Sequence, residues 1–173
     1  METSLAQILG LVLLVNTNLA IIICFATPYW VKRFGLFNSG IWADCANDKC
    51  QWVFEDDFFL QRMKTDWFKA VQGLMSAGLG LGLIALLVTT LSLCCRCNPR
   101  HAISGLMLTS SVSMAVGLIV FGIKANGDWG IEMSNNTIGE FGWSFYVGIG
   151  AAGLALITSF VYCCMSRRPD QYS

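Results

Sequence analysis

Eight cysteines, a single histidine and one run of adjacent carboxylates are the residues of this chain with the capacity for chemistry. Cys94, Cys95 and Cys97 crowd one segment, and Cys163 and Cys164 crowd another near the end of the sequence. Thiolates grouped in this way invite a zinc reading. The CCxC spacing, however, is not a ligand pair of the CxxC kind, and His101 has no partner histidine. Membrane-proximal cytosolic thiols are also sites of S-palmitoylation, and that modification, or plain burial, suits these five cysteines better than a metal. Cys24 reads as a packing residue. Glu55-Asp56-Asp57 is the dense acidic cluster. A catalytic carboxylate pair needs two groups about 5–10 Å apart in different environments, and adjacent acids in an exposed loop have no reason to titrate apart. They read as a solvated face or as a patch that attracts cations. No nucleophile has a plausible base and no glycine-rich loop cradles phosphate, so neither catalysis nor a cofactor is expected.

Cys45 and Cys50 have a different setting. Residues 40–54 read as a β-hairpin: Ile41, Ala43 and Cys45 alternate up to a four-residue turn, Ala46-Asn47-Asp48-Lys49, and Cys50, Trp52 and Phe54 alternate away from it. Pairing Cys45 with Cys50 sets Ala43 opposite Trp52 and Ile41 opposite Phe54, all on one apolar face. A disulfide bracketing so short a turn stabilises it by roughly 2 kcal/mol in the chain-entropy model. The other possibility, two free thiols, is disfavoured in an oxidising compartment. An earlier strand is expected within 30–37. A short helix is expected from Asp57, whose carboxylate would cap it, with Phe59, Leu60 and Met63 on one face.

The elements that must position this hairpin are membrane spans. Of 173 residues 55% are hydrophobic and only 13% charged, where a soluble domain carries about 25%. Net charge is zero, which gives no global field for nucleic acid. Apolar stretches at 5–27, 68–95, 102–123 and 143–164 each reach the ~20 residues needed to cross a hydrocarbon core. Their interiors hold no Asp, Glu, Lys, Arg or His, and Lys69 and Lys124 sit at the margins, where long stems snorkel. The first stretch lacks a basic n-region and is too long for a signal-peptide core. Four spans leave connections at 28–67, 96–101 and 124–142 and a tail at 165–173, in one domain.

Charge orients the spans. The connection at 96–101 carries Arg96 and Arg100 without an acid, and the tail carries Arg167 and Arg168. The 28–67 loop dilutes its basic residues with acids, so both termini are expected in the cytoplasm. Tyr29, Trp30, Trp67, Phe68, Trp143, Phe145 and Tyr146 fall at the opposite ends, as an interfacial aromatic belt requires. The sequon Asn135-Asn136-Thr137 lies in the second outer loop and makes Asn135 a glycosylation candidate.

Within the spans, Asn16 and Asn18 are expected to hydrogen-bond across helices. Gly78 with Gly82, Ser113 with Gly117, and Gly148 with Ala152 form small-xxx-small pairs, suited to packing within the bundle or to self-association. No span has an ionisable residue at mid-depth, where ion paths normally show one.

Trp30, then Gly40-Ile41-Trp42, then Cys45 and Cys50, between the first two of four spans, resembles the signature of the claudin superfamily. That superfamily takes in claudins, peripheral myelin protein, epithelial membrane proteins, the lens fibre membrane protein and calcium-channel gamma subunits. The resemblance covers essentially the whole chain. It implies a mainly α integral membrane protein, a left-handed bundle of four transmembrane helices with a small extracellular antiparallel β-sheet formed mostly by the first loop, to which the second loop adds a strand. Ile41 stands where the family pattern has leucine. The spacing of the cysteines and Ala70-Val71-Gln72 are closer to the myelin, epithelial and lens members. Charge-selective claudin pores place charged side chains beside these cysteines, whereas here Ala46 and Gln51 follow them. Asp170-Gln171-Tyr172-Ser173 lacks the terminal hydrophobe of a PDZ ligand.

The function that this combination implies is structural. A junction or adhesion protein of the plasma membrane would self-associate, side by side in one bilayer and head to head across two. Exposed Phe34, Leu36, Phe37 and Phe58 would supply contact area, and the result would be a paracellular barrier or a membrane apposition. The alternative is an auxiliary, gamma-like subunit that docks the same sheet on a channel or receptor. Related tetraspan junction proteins are further possible partners.

Overall fold

A computed structural model describes residues 5–33, 37–46, 49–52, 65–95, 99–129 and 139–166. Its helices are α1 (Leu5–Ala26), α2 (Asp66–Cys95), α3 (Arg100–Trp129) and α4 (Trp143–Ser166). Its strands are β1 (Val31–Arg33), β2 (Phe37–Ser39), β3 (Ala43–Ala46), β4 (Lys49–Trp52) and β5 (Gly139–Phe141). All four helices are long and apolar enough to cross a membrane. At about 1.5 Å per residue, α2 and α3, with 30 residues each, are about 45 Å long and outrun a hydrocarbon core of about 30 Å. The third helix therefore continues six residues past Ile123, through Lys124 to Trp129. Backbone in the membrane interface still gains from satisfying its own hydrogen bonds, so the helix does not stop where apolar sequence does.

The bundle is apolar outside and partly polar inside. Phe160 is 69% and Ile123 67% exposed, while Thr17, Ser110 and Thr158 are fully buried. Only a lipid solvent makes that arrangement favourable, because the outward side chains then lie in hydrocarbon and helix contacts depend on packing and hydrogen bonds. Serines of α3 supply many of those bonds. Ser110 Oγ donates to the Gly78 carbonyl (2.7 Å) and Ser113 Oγ to the Leu74 carbonyl (2.8 Å), both on α2. On the other side Ser111 Oγ donates to the Ala152 carbonyl (2.8 Å), and Ser104 and Ser159 exchange hydroxyl-to-carbonyl bonds of 2.9 and 2.8 Å. Thr17 and Thr158 join α1 to α4, hydroxyl to hydroxyl, at 3.0 Å.

Small residues face inward as the serines do. A Cβ at Gly78 would lie 2.5 Å from Met114 Cγ, one at Gly117 would lie 3.3 Å from Leu74 Cβ, and one at Gly148 would lie 3.1 Å from a Leu118 methyl. These positions serve packing within the bundle. The two asparagines of α1 depart from expectation. Asn16 and Asn18 each donate to the carbonyl four residues back on their own helix, Val12 and Leu14, at 2.9 Å. A short amide side chain reaches its own preceding turn more easily than a neighbouring helix.

The strands form one antiparallel sheet in the order β4-β3-β2-β1-β5. Segment 30–37 therefore holds parts of two strands rather than one, because β1 and β2 pair with Val31 opposite Ser39 and Arg33 opposite Phe37. The β3–β4 ladder sets Ala43 opposite Trp52 and Cys45 opposite Cys50, and it runs one pair further than expected, to Ala46 opposite Lys49. Strand β5, from the connection between α3 and α4, pairs with β1. The acidic cluster, Phe54 and the helix expected from Asp57 lie outside the described residues.

Candidate interaction surface

The motif residues seat the sheet on the bundle. Trp30 is fully buried, with Phe121 and Phe145 edge-on to its ring at centroid distances of 5.0 and 5.9 Å. Its indole N–H donates to the Cys24 carbonyl at 2.7 Å. That carbonyl belongs to the last turn of α1, where no helical N–H remains to donate to it. The Trp30 backbone is held on both sides: its N–H donates to the Ser39 carbonyl (3.0 Å), and its carbonyl accepts from the Gly142 N–H (2.8 Å). One residue thus ties α1, β2 and the start of α4 together.

Gly40 is present because the backbone passes too close for a side chain. A Cβ there would sit 2.6 Å from Pro28 Cα and 2.8 Å from the Thr27 carbonyl oxygen. Ile41 is fully buried, and its carbonyl accepts a 2.9 Å bond from Gln72 Nε2, a buried amide one turn and a half into α2. Trp42 packs against Phe25 at 5.5 Å between ring centroids. Gln72 is the positioning residue that sequence reasoning quoted only for its likeness to relatives. An amide near the end of an otherwise apolar span was the available signal.

Several aromatics change role. Phe68 and Phe145 were expected in an interfacial belt, but each is 4% exposed or less, and with Trp30, expected both in that belt and as an apolar anchor of the sheet, they form the core under the sheet. Tyr146 and Trp143 do face outward, and Trp143 stacks on Tyr29 at 5.6 Å. A tryptophan one turn beyond a helix end is as close to the bundle axis as to the interface, so position along the chain does not separate the two roles.

Directly opposed residues share a sheet face. One face carries Val31, Ser39 and Phe141, of which Phe141 stacks on Phe145 at 4.6 Å. The other carries Glu140, Lys32, Asn38, Cys50 and Trp52, with Lys32 and Glu140 as an opposite-charge cross-strand pair. Trp52, expected on the apolar face of the hairpin, is 44% exposed. Its partner Ala43 is buried, so register was legible and the depth of each side chain was not. Phe37 is 49% exposed, and every residue of the edge strand β4 is exposed. Cys45 and Cys50 are joined by a disulfide. The sheet therefore presents one large apolar side chain on each face, Phe37 beside Val31 and Ser39 and Trp52 beside Cys50, and a solvent-facing edge between them, all on a rigid mount suited to contact.

The remaining candidates are placed as follows. Phe34, Leu36, Phe58, Asn135 and Cys97 lie outside the described residues, as do the side chains of Cys94 and Cys95. Cys163 is half-buried and Cys164 exposed at the last turn of α4, and both are free thiols. Among the described residues no group of three or more His, Cys, Asp or Glu converges to hold a metal ion.

A model of the PMP-22/EMP/MP20/Claudin family matches residues 4–162. The chain is also similar to a zebrafish (Danio rerio) protein named "p53 apoptosis effector related to PMP-22", with 25% identity over 131 residues. That match covers 75% of this chain and 65% of the relative.

Proposed function

The chain belongs to the PMP-22/EMP/MP20/Claudin family, and from that premise we propose that it is a structural adhesion protein of cell–cell contacts. Its sheet lies outside the cell and meets the sheets of neighbouring copies, within one membrane and across two. The observation that carries this reading is the exposure of Phe37 and Trp52 on a sheet that Trp30 and Gly40 fix to the bundle. Apolar side chains held on a rigid mount lose little conformational entropy on docking, so the area they bury goes further toward association. Cys45–Cys50 closes the hairpin beside Trp52, and a disulfide persists in the oxidising medium outside the cell. Both termini then lie in the cytoplasm of a plasma-membrane protein, and Arg96, Arg100, Arg167 and Arg168 follow the positive-inside rule. Ala46 and Gln51 put no charge beside the cysteines, which favours apposition or sealing over a charge-selective pore.

In a culture mixing expressing and non-expressing adhesion-poor cells, the protein should concentrate at boundaries between two expressing cells. The double variant Phe37→Ser/Trp52→Ser should lose that enrichment at an unchanged surface amount. Uniform distribution of the natural chain would contradict the reading. Recovery of a stoichiometric channel subunit in mild detergent would replace it with the auxiliary-subunit role.

A further inference from the structure

Helix α1 packs against α2 and α4 through residues such as Thr17, Asn18 and Ile21, and it leaves one long face to lipid. Leu9, Val12, Asn16, Leu19 and Ile23 are all exposed on that face. Their spacing is three, four, three and four residues, the a/d repeat of a heptad seam, whose slight under-winding keeps one stripe facing a partner helix. Asn16 occupies an a position midway along the span Gln7–Ala26.

Asn16 is the second, independent observation. Its one hydrogen bond among the described residues is from Nδ2 to the Val12 carbonyl, at 2.9 Å. The side chain is exposed, and its Oδ1 acceptor and second N–H have no partner among the described residues, at the depth where lipid offers neither donor nor acceptor. The neighbouring amide, Asn18, is instead enclosed by the bundle, against Gly82. A polar amide on the outer stripe, at mid-depth and on a heptad position, is explained when another helix covers it.

We propose that α1 is the seam of a parallel, two-fold homodimer within one membrane, with Asn16 of each copy hydrogen-bonded to Asn16 of the other. The occupant is a second copy because the amide is self-complementary. Each Asn16 has one acceptor and one N–H to exchange, and a two-fold axis along the membrane normal brings like residues face to face. Copies with the same topology necessarily present α1 in parallel, the orientation in which a-position residues meet their equivalents. A single asparagine at such a position fixes register and pairing where the flanking aliphatic side chains alone would slide. This seam is separate from the adhesive sheet, and it pairs copies whether or not the sheet binds across membranes.

The test is energy transfer between donor- and acceptor-labelled full-length protein in phosphatidylcholine vesicles, over a series of protein-to-lipid ratios. Asn16→Leu should lower the association constant on the order of tenfold, the scale of an interhelical amide bond, and Asn16→Gln should restore part of it. Leu19→Ala, on the same stripe, should also weaken pairing, whereas Phe160→Ala, outward on α4, should not. Thermal unfolding of each variant shows that the monomer is intact, since all three positions face lipid. Equal energy transfer for the natural chain and Asn16→Leu would overturn the proposal. So would a natural chain that stays monomeric in these vesicles while α1 co-purifies with a different membrane protein from cells. Neither result depends on whether expressing cells adhere.

Discussion

Trp30→Ala is expected to be the most damaging single truncation in the described structure, costing about 3–5 kcal/mol as large buried aromatics do. Three losses combine at this position. The void opens beneath the sheet, between Phe121 and Phe145, where the edge-on ring contacts are made. The Cys24 carbonyl at the end of α1 loses its indole donor and becomes a buried, unsatisfied acceptor. The backbone turn that holds Ser39 and Gly142 to residue 30 loses the side chain that anchors it. Trp30→Phe separates these effects. It keeps much of the packing and loses the donor, so its cost should fall to about 1–3 kcal/mol. Thermal unfolding in mild detergent, together with the fraction of protein reaching the cell surface, reads both variants. Unchanged melting of Trp30→Ala would mean that the sheet is not seated as described.

Gly142→Ala should be comparably severe although it adds one methyl group. A Cβ at residue 142 would run into the Tyr29 carbonyl group, and backbone cannot step aside as a flexible side chain can. The same glycine donates its N–H to the Trp30 carbonyl at 2.8 Å, and the next turn begins with Ser144 donating to the Tyr29 carbonyl at 3.2 Å. Relieving the clash would break the junction of β5, α4 and residues 29–30 together. A cost above about 3 kcal/mol, beyond the usual range for a point substitution, is expected. Gly150→Ala is the matched control: a Cβ there meets nothing within 4 Å, and replacing a helical glycine gains up to about 1 kcal/mol. Gly142→Ala should therefore fail to accumulate under conditions where Gly150→Ala accumulates normally. Equal yields and melting temperatures would refute the close approach.

Legibility in the sequence followed the strength of the physical constraint. A hydrocarbon core demands about twenty apolar residues per crossing, so the four spans could be read, and their frame is the one found. Alternation about Cys45 and Cys50 fixed the hairpin register, because a slip by one residue moves every side chain to the other face. Constraints that depend on depth were not legible. Trp52 lies opposite Ala43 as expected, yet one is exposed and the other buried, since burial depends on what the rest of the chain lays over the sheet. Asn16 and Asn18 are two residues apart on one helix, so they point in different directions, one to lipid and one into the bundle. Ser110 and Ser111 of α3 carry no signal in sequence, because their role lies in carbonyls on other helices, Gly78 and Ala152. The aromatic core under the sheet resembled a belt because both occupy the same stretch of chain at the ends of the spans.

Adhesion through the sheet requires that the hairpin be oxidised and on the outer surface of the cell. A membrane-impermeant maleimide applied to intact expressing cells measures this directly, before and after treatment with an impermeant phosphine reductant. Cys45 and Cys50 should resist labelling at first and react after reduction, while Cys163 and Cys164 stay unlabelled until the membrane is permeabilised. Free labelling of Cys45 and Cys50 without reductant, or labelling of Cys164 in intact cells, would contradict the account.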